Sequence, residues 1–236
     1  MNKPQQMKAK LADKQVFNDK FTQYKFELVQ PHQMEFDAGQ YVSIVVDEHG
    51  DRRSYSITST PENKHSFELL IDHSPQGVGT EFLRNLEFGA QVDVMGPLGK
   101  FVLEPNGTEE ELVFVATGSG IAPFRAMILD LLQDNNETRP ITLYWGLRYV
   151  ESMFWENEFQ DLAEKFPNFK FHPVISRAMN EWPLCRGRVT DCLSIHETPI
   201  NAAYYLCGGE AMITEVNAML QQKGIETKNI HFEKFF

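Results

Sequence analysis

The sequence predicts two domains in one chain, an N-terminal β-barrel or sandwich followed by an α/β domain built on a parallel sheet. Three observations carry this. Between residues 8 and about 103, short apolar-polar runs are broken by Gly, Pro and other turn residues at the spacing of an all-β domain. A polar stretch holding Pro105, Asn106 and Gly107 then ends that pattern. After it, strands alternate with amphipathic helices, the arrangement that buries a parallel sheet between helical layers. The chain has 236 residues, comfortable for two domains of roughly 100–130 residues each.

In order, strands are expected at 26–29 and 41–46, the latter closed by the turn Asp47-Glu48-His49-Gly50. Further strands follow at 54–59, 66–71 and 91–95. One short helix interrupts them at 80–86, where Phe82, Leu83 and Leu86 share a face. The domains are set at 1–105 and 112–236, with a linker at 106–111. In the second domain a strand at 112–116 leads to a helix at about 123–133, whose Phe124, Met127, Ile128 and Leu131 recur at helical spacing. A strand at 141–145 precedes a helix near 155–165. Next come a strand at 169–175, a short helical stretch near 189–193, a strand at 203–206, a helix at 211–223 and a last strand at 229–232.

Composition narrows the function. Apolar residues are 42% of the chain and its formal net charge is -11. No basic stripe offsets that charge, so nucleic acid is not an expected partner. No apolar run approaches the roughly 20 residues of a membrane span, and the polar stretch from Met1 to Lys10 is not expected to direct export. The three cysteines, Cys185, Cys192 and Cys207, form no C-x-x-C pair. A disulfide framework, a zinc ribbon and a plant-type [2Fe–2S] cluster are therefore not expected within the chain. No metal is expected, and the setting is read as reduced and cytoplasmic.

Three segments carry candidate chemistry. Gly118-Ser119-Gly120-Ile121-Ala122-Pro123 lies between a buried strand and a helix, where glycines admit a ligand to the backbone and free amides favour phosphate. It is not the G-x-G-x-x-G fingerprint, because Pro123 takes the last position. The next strand ends Trp145-Gly146-Leu147-Arg148, without the acid that binds a ribose. Arg53-Ser54-Tyr55-Ser56 alternates a guanidinium suited to phosphate and an aromatic suited to stacking on one strand face, with the Ser56 hydroxyl on the other face or at a bend. Gly77-Val78-Gly79-Thr80 opens the single barrel helix, with Thr80 as the expected N-cap and the glycines exposing backbone donors. A plain capped helix, a packed turn and a polar strand would account for each segment alone.

Three further segments complete a set: Gly96-Pro97-Leu98-Gly99-Lys100-Phe101, Cys207-Gly208-Gly209 with Met212, and the terminal His231-Phe232-Glu233-Lys234-Phe235-Phe236. Each is generic, but the six in this order are specific. Over nearly its whole length the chain resembles the ferredoxin–NADP+ reductase superfamily, in particular compact bacterial reductases and the reductase modules of oxygenases and flavohaemoglobins. That resemblance implies an antiparallel Greek-key β-barrel binding FAD, followed by an α/β parallel sheet binding NADH or NADPH. By the same resemblance, Arg53 holds a flavin phosphate, with Ser54 beside it, Tyr55 lies against the isoalloxazine and Ser56 hydrogen-bonds near N5. The backbone from Gly77 through Val78 and Gly79 to Thr80 binds the FAD pyrophosphate.

Thr117, Gly118, Ser119, Gly120 and Pro123 would then cradle the nicotinamide nucleotide, with Gly208 and Met212 alongside. Cys207 reads from composition as a buried structural cysteine, and the resemblance gives it a positioning role near the nicotinamide. Glu233 corresponds to a C-terminal acid near the flavin, and Phe235 or Phe236 would cover the flavin until nicotinamide displaces it. Ser176 and Arg177 follow the third strand of the domain, where NADPH-preferring relatives bind the 2′-phosphate, and a solvent-facing arginine is the equal alternative. The coenzyme choice stays open between NADH and NADPH.

The implied activity is hydride transfer from NAD(P)H to bound FAD, by a monomer that passes electrons to a protein acceptor such as a ferredoxin or an oxygenase component. Two alternatives stand beside it: a flavin or ferric reductase acting on small molecules, and a flavin electron-transfer subunit of a larger complex. The absence of a C-terminal cysteine cluster counts against the last.

Overall fold

The computed structural model describes residues 3–74, 76–104, 107–179 and 182–235. Pro105 at the end of the first expected domain, the linker position Asn106 and the candidate Phe236 lie outside them.

The first sheet comprises β1 (Gln5–Val16), β2 (Phe21–Gln30), β3 (Tyr41–Val45), β4 (Arg52–Ser56), β5 (Ser66–Asp72) and β6 (Gln91–Leu98), with α1 (Val78–Asn85) between the last two. All neighbours are antiparallel in the order β4-β3-β6-β1-β2-β5. A bridge between Ile57 and Leu69 brings the two edges together and nearly closes the barrel. Alternation along β1, β2 and β6 drives much of this. Met7, Ala9 and Leu11 of β1 face inward with Tyr24, Phe26 and Leu28 of β2 and with Val42, Ile44, Phe67, Leu69, Val92 and Val94. Burying each large side chain is worth about 1.5–3 kcal/mol. The side chain of Asn18 accepts amide hydrogen bonds from Lys20 (3.0 Å) and Phe21 (3.1 Å), which makes the tight turn into β2.

The second sheet is parallel, in the order β10-β9-β8-β7-β11-β12. Its strands are β7 (Glu111–Thr117), β8 (Ile141–Leu147), β9 (Phe169–Ile175), β10 (Cys185–Arg186), β11 (Ala202–Gly209) and β12 (Ile230–Phe235). The connecting helices are α2 (Ile121–Leu129), α3 (Glu156–Lys165), α4 (Val189–Ile195) and α5 (Glu210–Gln222). β7, β8 and β11 read as near-continuous apolar runs because both faces of a parallel sheet are covered.

The chain forms two compact units, Met1–Leu103 with Ala122–Asn135, and Glu104–Ile121 with Asn136–Phe236. Within the first unit α2 packs on the barrel. Arg125 pairs with Glu68 at 3.0 Å and donates to the Thr58 carbonyl, also at 3.0 Å. Phe124 meets Phe101 with ring centroids 5.9 Å apart.

Three local expectations differ from the structure. The barrel helix begins at Val78 instead of residue 80, because Gly77 is its N-cap. Thr80 therefore does not cap. Its hydroxyl turns back, accepting from the Gly77 amide (3.1 Å) and donating to the Gly77 carbonyl (2.9 Å). Trp155 stands outside α3, since its left-handed backbone, φ 54°, cannot continue into a helix. The strands β1 and β10 had no separate expectation.

Candidate functional site

Within the first unit, the β3–β4 register places Tyr55 opposite Val42 and Arg53 opposite Ile44. Arg53 and Tyr55 thus project from one face, two residues apart. The start of α1 comes down on that same face. A methyl group at Gly79 would lie 2.5 Å from the Tyr55 hydroxyl oxygen and 2.7 Å from Arg53 Cγ, so only a glycine fits there. Two segments well separated in sequence, Arg53-Ser54-Tyr55-Ser56 and Gly77-Val78-Gly79-Thr80, therefore form one cradle.

The chemistry of that cradle suits a dinucleotide flavin. The first intrahelical bond of α1 runs from the Glu81 amide to the Gly77 carbonyl at 3.0 Å. The Val78 and Gly79 amides precede it, at the positive end of the helix dipole. Arg53 and Ser54 are exposed, with Arg53 holding its neighbour's carbonyl at 2.8 Å. Tyr55 is half-buried, and burial pushes its phenol up to about 12, so it stays neutral and presents a flat apolar ring. Ser56 is buried, its residue 5% exposed, at the end of β4 opposite Tyr41.

The second unit builds a separate cradle at the carboxyl ends of β7 and β11, as open α/β sheets do. After Thr117 the chain turns tightly through Gly118, Ser119 and Gly120 into α2, and Pro123 is buried in that helix's first turn. Gly118 has φ 55°, and its carbonyl accepts the Trp145 indole N–H at 3.0 Å. A methyl group at Gly120 would run into the Cys207 backbone carbonyl. One at Gly208, where φ is 149°, would strike the Thr117 hydroxyl and come 2.9 Å from Met212 Cε. These close approaches bring Thr117, Gly118, Gly120, Cys207, Gly208 and Met212 into one place.

Cys207 is fully buried, and burial holds its thiol well above the usual range, with the Glu233 charge adding to the effect. Such a thiol stays protonated and is a poor nucleophile. Glu233 is its register partner on β12, and Phe235 follows two residues on, half-buried. Ser176 and Arg177 are exposed beyond β9, tied back by their amides to the carbonyls of Leu147 and Arg148, each at 2.9 Å. Arg177 donates to the Tyr149 hydroxyl at 2.8 Å, a pairing not evident in sequence. The sequence reading also missed Trp145 as the clamp on the glycine turn. Its signal was a tryptophan at the tip of the strand next to β7.

Cys185 and Cys192 form a disulfide with Cα atoms 5.7 Å apart. This single bridge departs from the reduced setting expected for the three cysteines. The short connection between β10 and α4 supplies the proximity, and seven residues of separation carry no C-x-x-C signature. Among the described residues no helix is long and apolar enough to cross a membrane.

Comparison with known proteins assigns one family model to each half of the chain. The model of the oxidoreductase FAD-binding domain matches residues 8–103, and that of the oxidoreductase NAD-binding domain matches residues 114–218. One subunit of the Na+-translocating NADH-quinone reductase of Neisseria meningitidis serogroup B is 33% identical over 216 residues, covering 85% of this chain and 52% of the relative. Its Klebsiella pneumoniae counterpart is 32% identical over the same length. The chain thus spans about half the length of the curated relatives it matches. Among solved structures, an Amycolatopsis cytochrome P450 reductase superposes with a TM-score of 0.90 at 27% identity, covering all of this chain and 71% of that one. A ferredoxin–NADP+ reductase from Neisseria gonorrhoeae with bound FAD and NADP gives 0.83 at 21% identity, covering 98% and 99%. With one domain for FAD and one for NAD, the chain belongs to the ferredoxin–NADP+ reductase superfamily of NAD(P)H-dependent flavoprotein oxidoreductases.

Proposed function

We propose that this chain takes hydride from NADH or NADPH onto tightly held FAD and passes the electrons to a separate carrier protein, such as a ferredoxin or an oxygenase component. The observation that carries this is the approach of Gly79 to Tyr55 and Arg53, which joins a phosphate-binding guanidinium, a stacking ring and helix-start amides in one cradle. A cradle for a pyrophosphate favours retained FAD over flavin passing through as a substrate. When bound, the flavin supplies hydride acceptance at N5 and release of electrons one at a time.

The residues supply alignment. Arg53, Ser54 and the backbone of residues 77–80 hold phosphate, Tyr55 fixes the ring plane and the Ser56 hydroxyl addresses the ring near N5. The turn Thr117 to Gly120, with Pro123, Gly208 and Met212, holds the nicotinamide nucleotide. Cys207 sets its position by contact, Glu233 handles protons and Phe235 covers the flavin. Arg177, with Ser176, faces the adenosine end. In this reading the protein works as a cytoplasmic monomer, where its coenzyme is supplied.

A second reading has a specific basis. The 33% identity to one component of an NADH-quinone reductase, over about half of that component, fits a flavin electron-transfer part of a larger assembly. Gel filtration followed by stopped-flow reduction tests the first reading. Protein that stays yellow and is reduced by NADH or NADPH, then reoxidised by an iron–sulfur protein, supports it. Folded protein that binds neither FAD nor FMN at micromolar concentration refutes it.

A further inference from the structure

In the second unit, where β10 and α4 lie side by side, two cysteines and a histidine converge. Cys185 lies in β10, paired with Val174 of β9. Cys192 lies in α4, and His196 ends that helix four residues on, on the same face. The two Sγ atoms and an imidazole nitrogen all lie within 4.8 Å of one another.

The donors fit one class of ion. Two sulfurs and an imidazole suit zinc-like divalent cations, whereas calcium and magnesium need oxygen ligands. Zinc–sulfur bonds of about 2.3 Å and zinc–nitrogen bonds of about 2.0 Å, at the tetrahedral angle, give a sulfur–nitrogen edge of about 3.5 Å. Cys185 Sγ and His196 Nε2 are 3.5 Å apart.

The frame is already ordered. The Cys185 carbonyl accepts the Trp182 indole N–H at 3.1 Å, and the Asp191 carboxylate accepts the Arg188 amide at 2.7 Å. The His196 ring packs on His172, with centroids 4.5 Å apart. Cys192 is 1% exposed, while Cys185 and His196 are half-buried, so solvent reaches one side of the cluster.

We propose that Cys185, Cys192 and His196 bind one zinc-type divalent cation when the two cysteines are reduced, with water as fourth ligand, and that the disulfide is the metal-free oxidised form. A thiol or phosphine reductant supplies two electrons, the S–S bond breaks, and two protons from solvent complete two thiols. On binding, the cation displaces both thiol protons to solvent, leaving the net charge of the site unchanged.

The test uses the full, tag-free, FAD-loaded protein, reduced with a phosphine and titrated with Co2+ under anaerobic conditions. One equivalent should bind per chain, with tetrahedral d–d bands to the red of the flavin and a thiolate charge-transfer band. Added Zn2+ should erase both, and protein with its disulfide intact should show neither. C185S and H196N should each weaken Co2+ binding by at least about a hundredfold, with FAD content unchanged. Native mass spectrometry decides without any variant: reduced wild type should add one zinc and lose two protons. Reduced wild type without cobalt bands or zinc adduct, or variants that bind Co2+ as wild type does, would overturn the proposal.

Discussion

Replacing Gly79 by alanine separates folding from flavin binding. Gly79 is the second residue of α1, where alanine is better than glycine by about 0.5–1 kcal/mol in helix propensity. The added methyl would stand 2.5 Å from the Tyr55 hydroxyl oxygen and 2.7 Å from Arg53 Cγ. Ordinary contact begins at about 3.5 Å, so the two groups must retreat by roughly 1 Å and 0.8 Å. Arg53 is exposed and yields easily, whereas Tyr55 is a rigid ring packed against the barrel core. Both are the groups assigned to the flavin. Losing one charge-assisted hydrogen bond to phosphate costs about 1.5–3 kcal/mol, a factor of roughly 10–150 in affinity. The expected result is a folded apoprotein that melts a few degrees below wild type, since displacing the packed Tyr55 ring outweighs the gain in helix propensity, and that binds FAD at least tenfold more weakly. Calorimetry of the apoprotein and flavin fluorescence titration measure the two halves. An FAD affinity within about twofold of wild type would refute the shared cradle.

Gly120→Ala puts its methyl 2.6 Å from the Cys207 carbonyl carbon, a backbone neighbour that cannot swing away. The variant should lose about 1–3 kcal/mol of stability and raise KM for NAD(P)H with its FAD content kept. Unchanged melting and KM would exclude the close approach. Ser56→Ala should slow flavin reduction about tenfold, the worth of one hydrogen bond of about 1–1.5 kcal/mol, while FAD retention stays near wild type. A loss confined to retention would sink the assigned role. Asp130 follows α2, and burial, with Asp134 next, raises its carboxyl to about 6. An acid raised on folding binds its proton more tightly in the native state, so stability falls as pH rises from about 4 through 6. Screening at a half-exposed carboxylate reduces the penalty to about 1 kcal/mol. Asp130→Asn should therefore melt about 2–4 °C higher at pH 7.5, and a gain that persists at pH 4 would refute this origin.

Periodicity carried most of the fold. The β9 strand at 169–175 matches its expectation, because Phe169, Val174 and Ile175 sit between clear turn signals. The α3 start was misread because Trp155 is apolar and continues the helical pattern, while its positive φ leaves no trace in residue type. β10 is two residues long and pairs with only one strand, so no alternation exists to be read. Thr80 was misread as a cap for a related reason. A threonine at the start of a helix serves equally at the N-cap or inside the first turn, and only the hydrogen bond back to Gly77 decides which.

The candidate sites drew on a different kind of signal. Gly79 and Gly120 each look like packing glycines in their own segments, and local sequence cannot distinguish that from a ligand cradle. Their meaning lies in what a methyl group would hit: Tyr55 and Arg53 in one case, the Cys207 carbonyl 87 residues away in the other. Such constraints join distant segments, so one segment cannot reveal them. Several glycines in a fixed order can, because each restricts where the others' partners lie. The Cys185, Cys192 and His196 cluster had no such company, and it emerged only when β10 and α4 were placed side by side. Where a site is built from one segment and lacks familiar spacing, the decisive information is the geometry of the turn that folds it.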